Sequence, residues 1–526
     1  MKKNLLLILF AISGMTALIY EVIWIRPLSL VFGATIYAVS TIVASFILGL
    51  AIGSWFAGTY ADRLKNPLKY FALTQIGVGF YGILLLPLFG SLPFIYLTMY
   101  QATFPNQTLF LFVQILMSMA MITVPATMMG STLPLMMKTY SKELSMVGKD
   151  IGKLDASNSI GAFFGTLAAG FLLIPLLGIH LSILVTASIN VGLGVIVLLS
   201  NKYISKKYLG LIIIFLVPLW FFYPSYDVEL LAGNLFVSAS PNIKFEAYEN
   251  KINRQDVLFY NESLYQNVMV TSFESGDRLR LDGKVQCSTD LRTENGLIRL
   301  GFYPYALFEY NYGHPKNALN IGLGCGTTSH ALSESVKTTT IEIDPTVVQA
   351  SKFFYDKIDH ELIIDDGRNW LLKNNEKFDI IVTEPSEPWQ RNGFHYTKEY
   401  FQLMSDNLSE IGLVSQWVPA WELKNDDAMI MYNTFHSVFP YVYVYQMEQD
   451  SVNQLIFIGS KHELKLPRQD LYLFNQNDIL DYDTILNTDD RPVLEFSTAY
   501  SLYNDLEPNL IYFKLKDPSL LEKLDR

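Results

Sequence analysis

The chain has 526 residues, half of them hydrophobic, and its 50 acidic residues outnumber 39 basic ones for a formal charge of −11. That balance, with no basic stripe interleaved with aromatics, excludes a nucleic-acid partner, and so apolar a composition excludes an ordinary soluble protein. The length allows two or three domains.

The apolar residues are concentrated at the front. No Asp, Glu, Lys or Arg occurs between Lys69 and Lys138, enough for two spans at about 20 residues each. The start, "MKKNLLLILFAISGMTALIY", has Lys2 and Lys3 before an apolar run, as a signal peptide does. No small-residue cleavage site follows, and the run meets Glu21 and another apolar segment, so it reads as a first transmembrane helix. About seven spans are expected, near 4–25, 33–57, 70–90, 108–136, 157–177, 180–200 and 208–223. Basic residues fall in alternate connections: Arg63, Lys65 and Lys69; Lys138, Lys142, Lys149 and Lys153; Lys202, Lys206 and Lys207. The positive-inside rule makes these connections and the N-terminus cytoplasmic. Seven complete spans would then put the rest of the chain outside. The seventh segment is short and broken by Pro218 and Pro224; read as interfacial or re-entrant, it returns the soluble half to the cytoplasm.

Within the apolar part, Glu21 is either a functional group at membrane depth or a side chain reaching the interface beside Arg26. Asp62–Arg63 in "GTYADR" resembles a loop of major-facilitator transporters, and a helix cap or ion pair explains it equally. Gly49, Gly53 and Gly58 suit close helix packing.

A small β-rich domain is expected over 226–315, where "LYQNVMVTSF" and "DRLRLDGKVQ" alternate as strands around a turn at "ESGD". Over 316–500 strands alternate with helices, the pattern of a doubly wound, Rossmann-like α/β domain, and 501–526 read as a tail. Two cysteines, Cys287 and Cys325, are too few and too distant to suggest a metal site or a disulfide framework, and favour a reducing compartment. No metal-ligand spacing occurs.

The chemistry collects at strand ends. Gly322, Gly324 and Gly326 follow "ALNI" and open a helix, which a tight turn also explains. Glu342 ends the next strand, where a carboxylate can accept both hydroxyls of a ribose. Asp365 and Asp366 end the third, within reach of an adenine, and Glu384 and Glu387 follow the fourth. Such sheets bind ligands beyond the carboxyl ends of their strands. Thr327–Thr328–Ser329 stand where a third glycine of a dinucleotide fingerprint would come, which favours S-adenosylmethionine or a relative.

"LYQNVMV", "LRLDGKVQCST", "NIGLGCGTTSHAL", "IEIDPTVVQASKFF", "IIDDGRNWL", "FDIIVTEPSEPW", "HYTKEYF" and "GLVSQW" occur in the order seen in spermidine synthases. The stretch 257–420 therefore resembles the polyamine aminopropyltransferase family. "SGMTALIYEVIW", "GLAIGSWFAGTYADR" and "NTDDRPVLEF" resemble its transmembrane, fused bacterial members, which implies a multi-pass protein of the bacterial inner (cell) membrane. The resemblance implies that Gln266, Glu342, Asp366 and Gly367, with the loop Gly322, Gly324, Cys325 and Gly326, hold decarboxylated S-adenosylmethionine. It makes Glu384 the catalytic carboxylate, Glu387 the acid for the amine, and Tyr396 and Gln416 neighbouring pocket residues. A homodimer through the catalytic domain is compatible with it.

Three departures stand out. Cys325 replaces the loop aspartate that contacts the aminopropyl amine, the aromatic-x-Glu motif is absent near Asn295–Gly296–Leu297, and both acids of the fourth-strand motif are Glu. The expectation is a membrane-anchored transferase moving an aminopropyl or related alkyl group to an amine. An S-adenosylmethionine-dependent methyltransferase, and a transporter or sensor that only binds a polyamine, remain alternatives.

Overall fold

The computed structural model describes residues 2–32, 36–141, 143–203, 230, 244–252, 255–274, 276–385, 388, 393–420, 423, 425–448, 451–466, 474–475 and 485–494. The chain divides into a helical unit, built mainly from the residues before Asn253, and an α/β unit built from most of the rest.

The helical unit contains α1 (Lys3–Phe32), α2 (Ile36–Ala61), α3 (Pro67–Thr103), α4 (Gln107–Gly130), α5 (Thr132–Tyr140), α6 (Val147–Ala168) and α7 (Ile174–Ser200). Small residues bring these helices together. Gly161 of α6 lies against the backbone of Ala11 and Gly165 against Met15, while the Ser157 hydroxyl donates to the Leu7 carbonyl (2.7 Å). Successive four-residue steps put these contacts on one face of each helix, so α1 and α6 run in the same direction. On α2, Gly49 and Gly53 pack against Ala126 and Thr127 of α4, whereas Gly58 faces open space. Hydrogen bonds between buried polar side chains add to the packing: Thr16 donates to Asn190 (2.8 Å) and Gln75 to Ser13 (2.6 Å).

Among the described residues five helical segments are long and apolar enough to cross a membrane. The fifth and sixth expected spans fall within one of them, Val147–Ser200, where a π-helical turn (Ala169–Leu173) and then Gly178, at φ +71°, interrupt the regular helix. Gly178 tolerates that left-handed conformation because it lacks a Cβ. Beyond it α7 runs antiparallel to α3, with Gly79 beside Ala187 and Val191 and Gly194 beside Ala72. The seventh expected segment, 208–223, lies outside the described residues.

In the α/β unit the first sheet is a meander, β1 (Asp256–Glu262), β2 (Asn267–Phe273), β3 (Gly276–Leu281) and β4 (Lys284–Ser288), in that order. Asp282 and Gly283, both at positive φ, make the two-residue turn between β3 and β4, the geometry that matches strand twist in a hairpin. A helix, Leu291–Tyr312, follows, its N-terminus capped by Asp290.

The second sheet has the order β12–β10–β11–β9–β8–β5–β6–β7. Its strands are β5 (Asn317–Ile321), β6 (Lys337–Glu342), β7 (Glu361–Ile364), β8 (Phe378–Thr383), β9 (Leu408–Val418), β10 (Tyr441–Glu448), β11 (Ser451–Ser460) and β12 (Phe474–Asn475). Strands β5 to β9 pair in parallel, and β10 to β12 extend the sheet antiparallel. Alternate side chains face opposite layers. Leu319, Ile381 and Val414 pack with Tyr400, Phe401 and Phe435 on one face. Ala318, Ile380 and Leu413 pack with Leu300, Leu307 and Val347 on the other.

Candidate active site

The strand order fixes where the site must be. From β5 the chain moves outward through β6 to β7, then returns to β8 on the other side of β5. The connections after β5 and β8 therefore diverge, leaving a crevice at their carboxyl ends. The glycine loop lies on one side of that crevice and Glu384 on the other, with Ile321 and Thr383 as paired neighbours at its base.

Gly322, Gly324 and Gly326 have φ of +93°, +54° and +91°. Only glycine takes such angles without strain, so the loop keeps its path because no Cβ is present. Asn320 donates to the Gly322 carbonyl (2.6 Å). Glu342, buried at the end of β6, accepts from the amides of Leu323 (2.9 Å) and Asp344 (2.9 Å). Burial pushes the Glu342 carboxyl up from its ordinary pKa, partly offset by those amides. This carboxylate thus supports the loop as well as standing where a ribose would be expected. Asp366 caps the helix Gly367–Lys373 through the Asn369 amide (2.7 Å). A Cβ on Gly367 would approach the Ile321 Cγ2 to 2.5 Å, so glycine lets this helix close against β5. Gln266 lies half-buried immediately before β2.

Glu384 immediately follows β8 and is half-buried. Desolvation pushes its carboxyl pKa up to about 8, because burial penalises the charged form. Thr383, the last residue of β8, lies 3.3 Å from the Tyr400 hydroxyl. Gln416 pairs with Thr383 across β8 and β9 and is fully buried. Its amide donates to the Trp417 carbonyl (2.9 Å), while its Oε1 has no hydrogen-bond partner. A buried acceptor without a partner costs about 1–3 kcal/mol. Tyr396, also fully buried, donates to the Pro385 carbonyl (3.3 Å), beside Glu384. Glu387 lies outside the described residues.

The cysteines require a correction. Cys287 of β4 and Cys325 of the glycine loop form a disulfide, with their Cα atoms 6.1 Å apart, although 38 positions separate them in sequence. The meander folds back onto the loop, a long-range contact that spacing alone did not reveal. Cys325 is consequently neither a charge nor a thiol in the crevice. The disulfide also removes the argument for a reducing compartment, since such bonds persist mainly in oxidising ones.

Asp62 pairs with Lys138 (2.7 Å), which favours the ion-pair reading of "GTYADR". Glu21 is half-buried on α1. Among the described residues no group of three or more His, Cys, Asp or Glu side chains is placed to hold a metal ion.

Comparison with known proteins locates the chain among its relatives. Residues 306–463 match the spermine/spermidine synthase domain. A polyamine aminopropyltransferase of Corynebacterium efficiens is 25% identical over 78% of this chain and 76% of its own length. That coverage exceeds what the residues after 225 can supply, so the similarity extends into the apolar half. A polyamine aminopropyltransferase of Thermococcus kodakarensis is 27% identical over 44% of this chain and 85% of its own. The solved spermidine synthase of Thermotoga maritima is 20% identical, with a TM-score of 0.35 over 47% of this chain and 87% of that one. Residues 306–463 thus carry a spermine/spermidine synthase domain, and the aminopropyltransferase relatives support a transferase.

Proposed function

We propose that the α/β unit transfers an aminopropyl group from decarboxylated S-adenosylmethionine, or a related alkyl group from a similar adenosyl sulfonium, to a small amine or polyamine. The observation that carries this reading is the crevice between β5 and β8, with a positive-φ glycine loop on one side and the desolvated Glu384 on the other. Gly322, Gly324, Gly326, Glu342, Asp366 and Gly367 would hold the adenosyl part, with Gln266 at its edge. Glu384 takes a proton from the acceptor ammonium, and a pKa near working pH suits a general base. The freed lone pair then forms the new C–N bond as the C–S bond breaks, releasing methylthioadenosine. Gln416 and Tyr396 line the acceptor side, and Glu387 follows Glu384 in sequence as the expected counter-charge for the amine.

The assay incubates purified protein with decarboxylated S-adenosylmethionine and a series of amines and measures methylthioadenosine. Turnover that disappears in Glu384→Gln supports the proposal; none with any amine sinks it. Engagement of Cys325 in the disulfide favours one second reading, methyl transfer, because that position offers no charge for an aminopropyl ammonium. Formation of S-adenosylhomocysteine from S-adenosylmethionine would identify it.

We also propose that the helical unit anchors the enzyme in a bacterial cell membrane as a multi-pass bundle. Phe163, Phe164, Phe171, Leu172 and Leu176 are all more than half exposed on the bundle surface, as lipid-facing side chains would be. The helix directions place Lys3, Lys69, Lys149, Lys153 and Lys202 at one end, the cytoplasmic one by the positive-inside rule. An adenosyl co-substrate favours a catalytic unit in the cytoplasm, the side that the sequence reading also expects. The Cys287–Cys325 disulfide weighs against that placement. A reporter active only in the cytoplasm, fused after residue 315, should be active; a silent, stable fusion would place the unit outside.

A further inference from the structure

The geometry points to Asp489 as a positioning residue that joins the adenosyl side of the crevice to its acceptor side, with Asn487 as its anchor. The inference rests on the functional reading above. Both residues belong to "NTDDRPVLEF", the C-terminal motif to which that reading gives no role.

Asn487 is fully buried, and its backbone and side chain are bonded in four directions. Its amide nitrogen donates to Thr434 (2.9 Å), its carbonyl accepts from the Lys398 amide (2.9 Å), its side-chain amide donates to the Tyr396 carbonyl (2.9 Å), and its Oδ1 accepts from the Leu494 amide (3.0 Å). Leu494 is itself buried in the aromatic layer with Phe401 and Phe435. The segment 487–494 is therefore fixed to the core at both ends.

Asp489 lies between those anchors. One carboxylate oxygen accepts from Arg368 Nη1 (3.0 Å) and the Thr397 hydroxyl (2.8 Å), and the other from Arg368 Nη2. This is a two-pronged guanidinium–carboxylate pair, which fixes direction as well as distance. Burial would raise the Asp489 pKa, but the hydrogen bonds from Arg368 and Thr397 outweigh it and hold the carboxyl below its ordinary value.

The two partners of the Asp489 carboxylate belong to opposite sides of the crevice, while its backbone amide donates to Glu399 (2.9 Å). Arg368 is on the helix Gly367–Lys373, directly after Asp366 and Gly367 at the adenosyl side. Its guanidinium also donates to the Phe394 carbonyl (3.3 Å). Thr397 follows the 3-10 turn Gly393–Tyr396 and caps the helix Lys398–Asn407; Tyr396 of that turn reaches Pro385 next to Glu384. Hydrogen bonds thus link the helix after Asp366 through Asp489 to Thr397, and its chain neighbour Tyr396 carries the connection on to Pro385, the residue after Glu384. Asp489 touches neither substrate site directly; it sets the separation between the two, on which in-line attack depends.

The test uses the full-length protein in detergent or nanodiscs, with Asp489→Asn, Asp489→Ala and the conservative Asp489→Glu. Three readouts are taken: melting midpoint, methylthioadenosine affinity by calorimetry, and separate KM and kcat for the amine. Loss of charge-assisted bonds of this type should cost roughly tenfold to a hundredfold. In Asp489→Asn, with unchanged melting, that loss should appear as weaker methylthioadenosine binding and a higher amine KM, and Asp489→Glu should recover part of it. Wild-type affinity and amine KM in folded Asp489→Asn, or a kcat lowered only in proportion to the folded fraction, would overturn the inference. If wild type binds methylthioadenosine but turns over no amine, aminopropyl transfer fails, and the positioning role is still decided by the binding measurement.

Discussion

Replacing Glu384 with Gln should separate its proposed catalytic role from its cost to the fold. The carboxyl has a pKa of about 8 in the native protein against an ordinary 4.5. Between those values the folded state binds more protons than the unfolded one, so stability falls as pH rises through this window. The slope is about 1.4 kcal/mol per pH unit for one proton, which sums to at most about 5 kcal/mol, less whatever remaining water contact relieves. Gln has nearly the same shape and cannot ionise. Glu384→Gln should therefore melt like wild type near about pH 4.5 and increasingly above it toward about pH 9. Activity should move the other way. Wild-type kcat/KM should rise to a plateau through an ascending limb near pH 8, the protonation of the free enzyme. The limb in kcat should lie lower, because a bound cationic amine favours the carboxylate. Glu384→Gln should lose that limb and roughly 10²–10⁴ in rate. Melting measured by fluorescence and pH–rate profiles on one preparation supply both curves. A pH-independent difference in melting would refute the desolvation argument, and a retained limb with rates within about tenfold of wild type would refute the assignment of the base.

Peptide mapping without reductant should recover Cys287 linked to Cys325, and Cys325→Ser should destabilise the α/β unit by about 2–4 kcal/mol for a loop of 38 residues. Equal melting with and without reductant would count against this bond. Gly367→Ala should weaken methylthioadenosine binding, because the new Cβ meets Ile321 and overpacking of that kind costs about 1–3 kcal/mol; calorimetry reads the change, and unchanged affinity would show that the helix does not set the pocket. Gly161→Leu should disrupt the helical unit, since its side chain has no space against the Ala11 backbone. The same substitution at Gly148, where nothing lies within 4 Å, should be tolerated. Similar detergent-resistant melting for both variants would contradict the proposed packing of α1 on α6.

The strand ends were legible in the sequence because local rules place them. A buried parallel strand reads as a short apolar run, and the residue after it reaches the crevice whatever the distant chain does. For that reason Gly322, Glu342, Asp366 and Glu384 could be located without knowing how the strands were ordered. The antiparallel extension of β10 to β12 had no comparable marker, and neither did the interruption at Gly178, which one glycine in an apolar run does not announce. The disulfide was invisible for a related reason: it depends on the meander folding back onto the glycine loop, and 38 intervening residues carry no signal of that contact.

That missed contact changes what Cys325 means. As a free thiol it would have been a small, uncharged side chain where the family resemblance leads one to expect an aspartate. Joined to Cys287, it ties the glycine loop to β4, the strand that leads through Asp290 into the helix Leu291–Tyr312. The loop is then held from three directions: Asn320 from its own strand, Glu342 from β6, and Cys287 from the meander. A loop held in this way needs less ordering when an adenosyl group binds, which favours affinity. It has, however, no charge to offer an aminopropyl ammonium at that position. Recognition of a cationic amine must therefore come from other groups, and the orphaned Gln416 acceptor and the desolvated Glu384 are the candidates that the proposed function puts on the acceptor side. Substituting Gln416 with Glu should favour cationic amines and with Leu should weaken them, so the amine series measured on these two variants shows which group selects the acceptor.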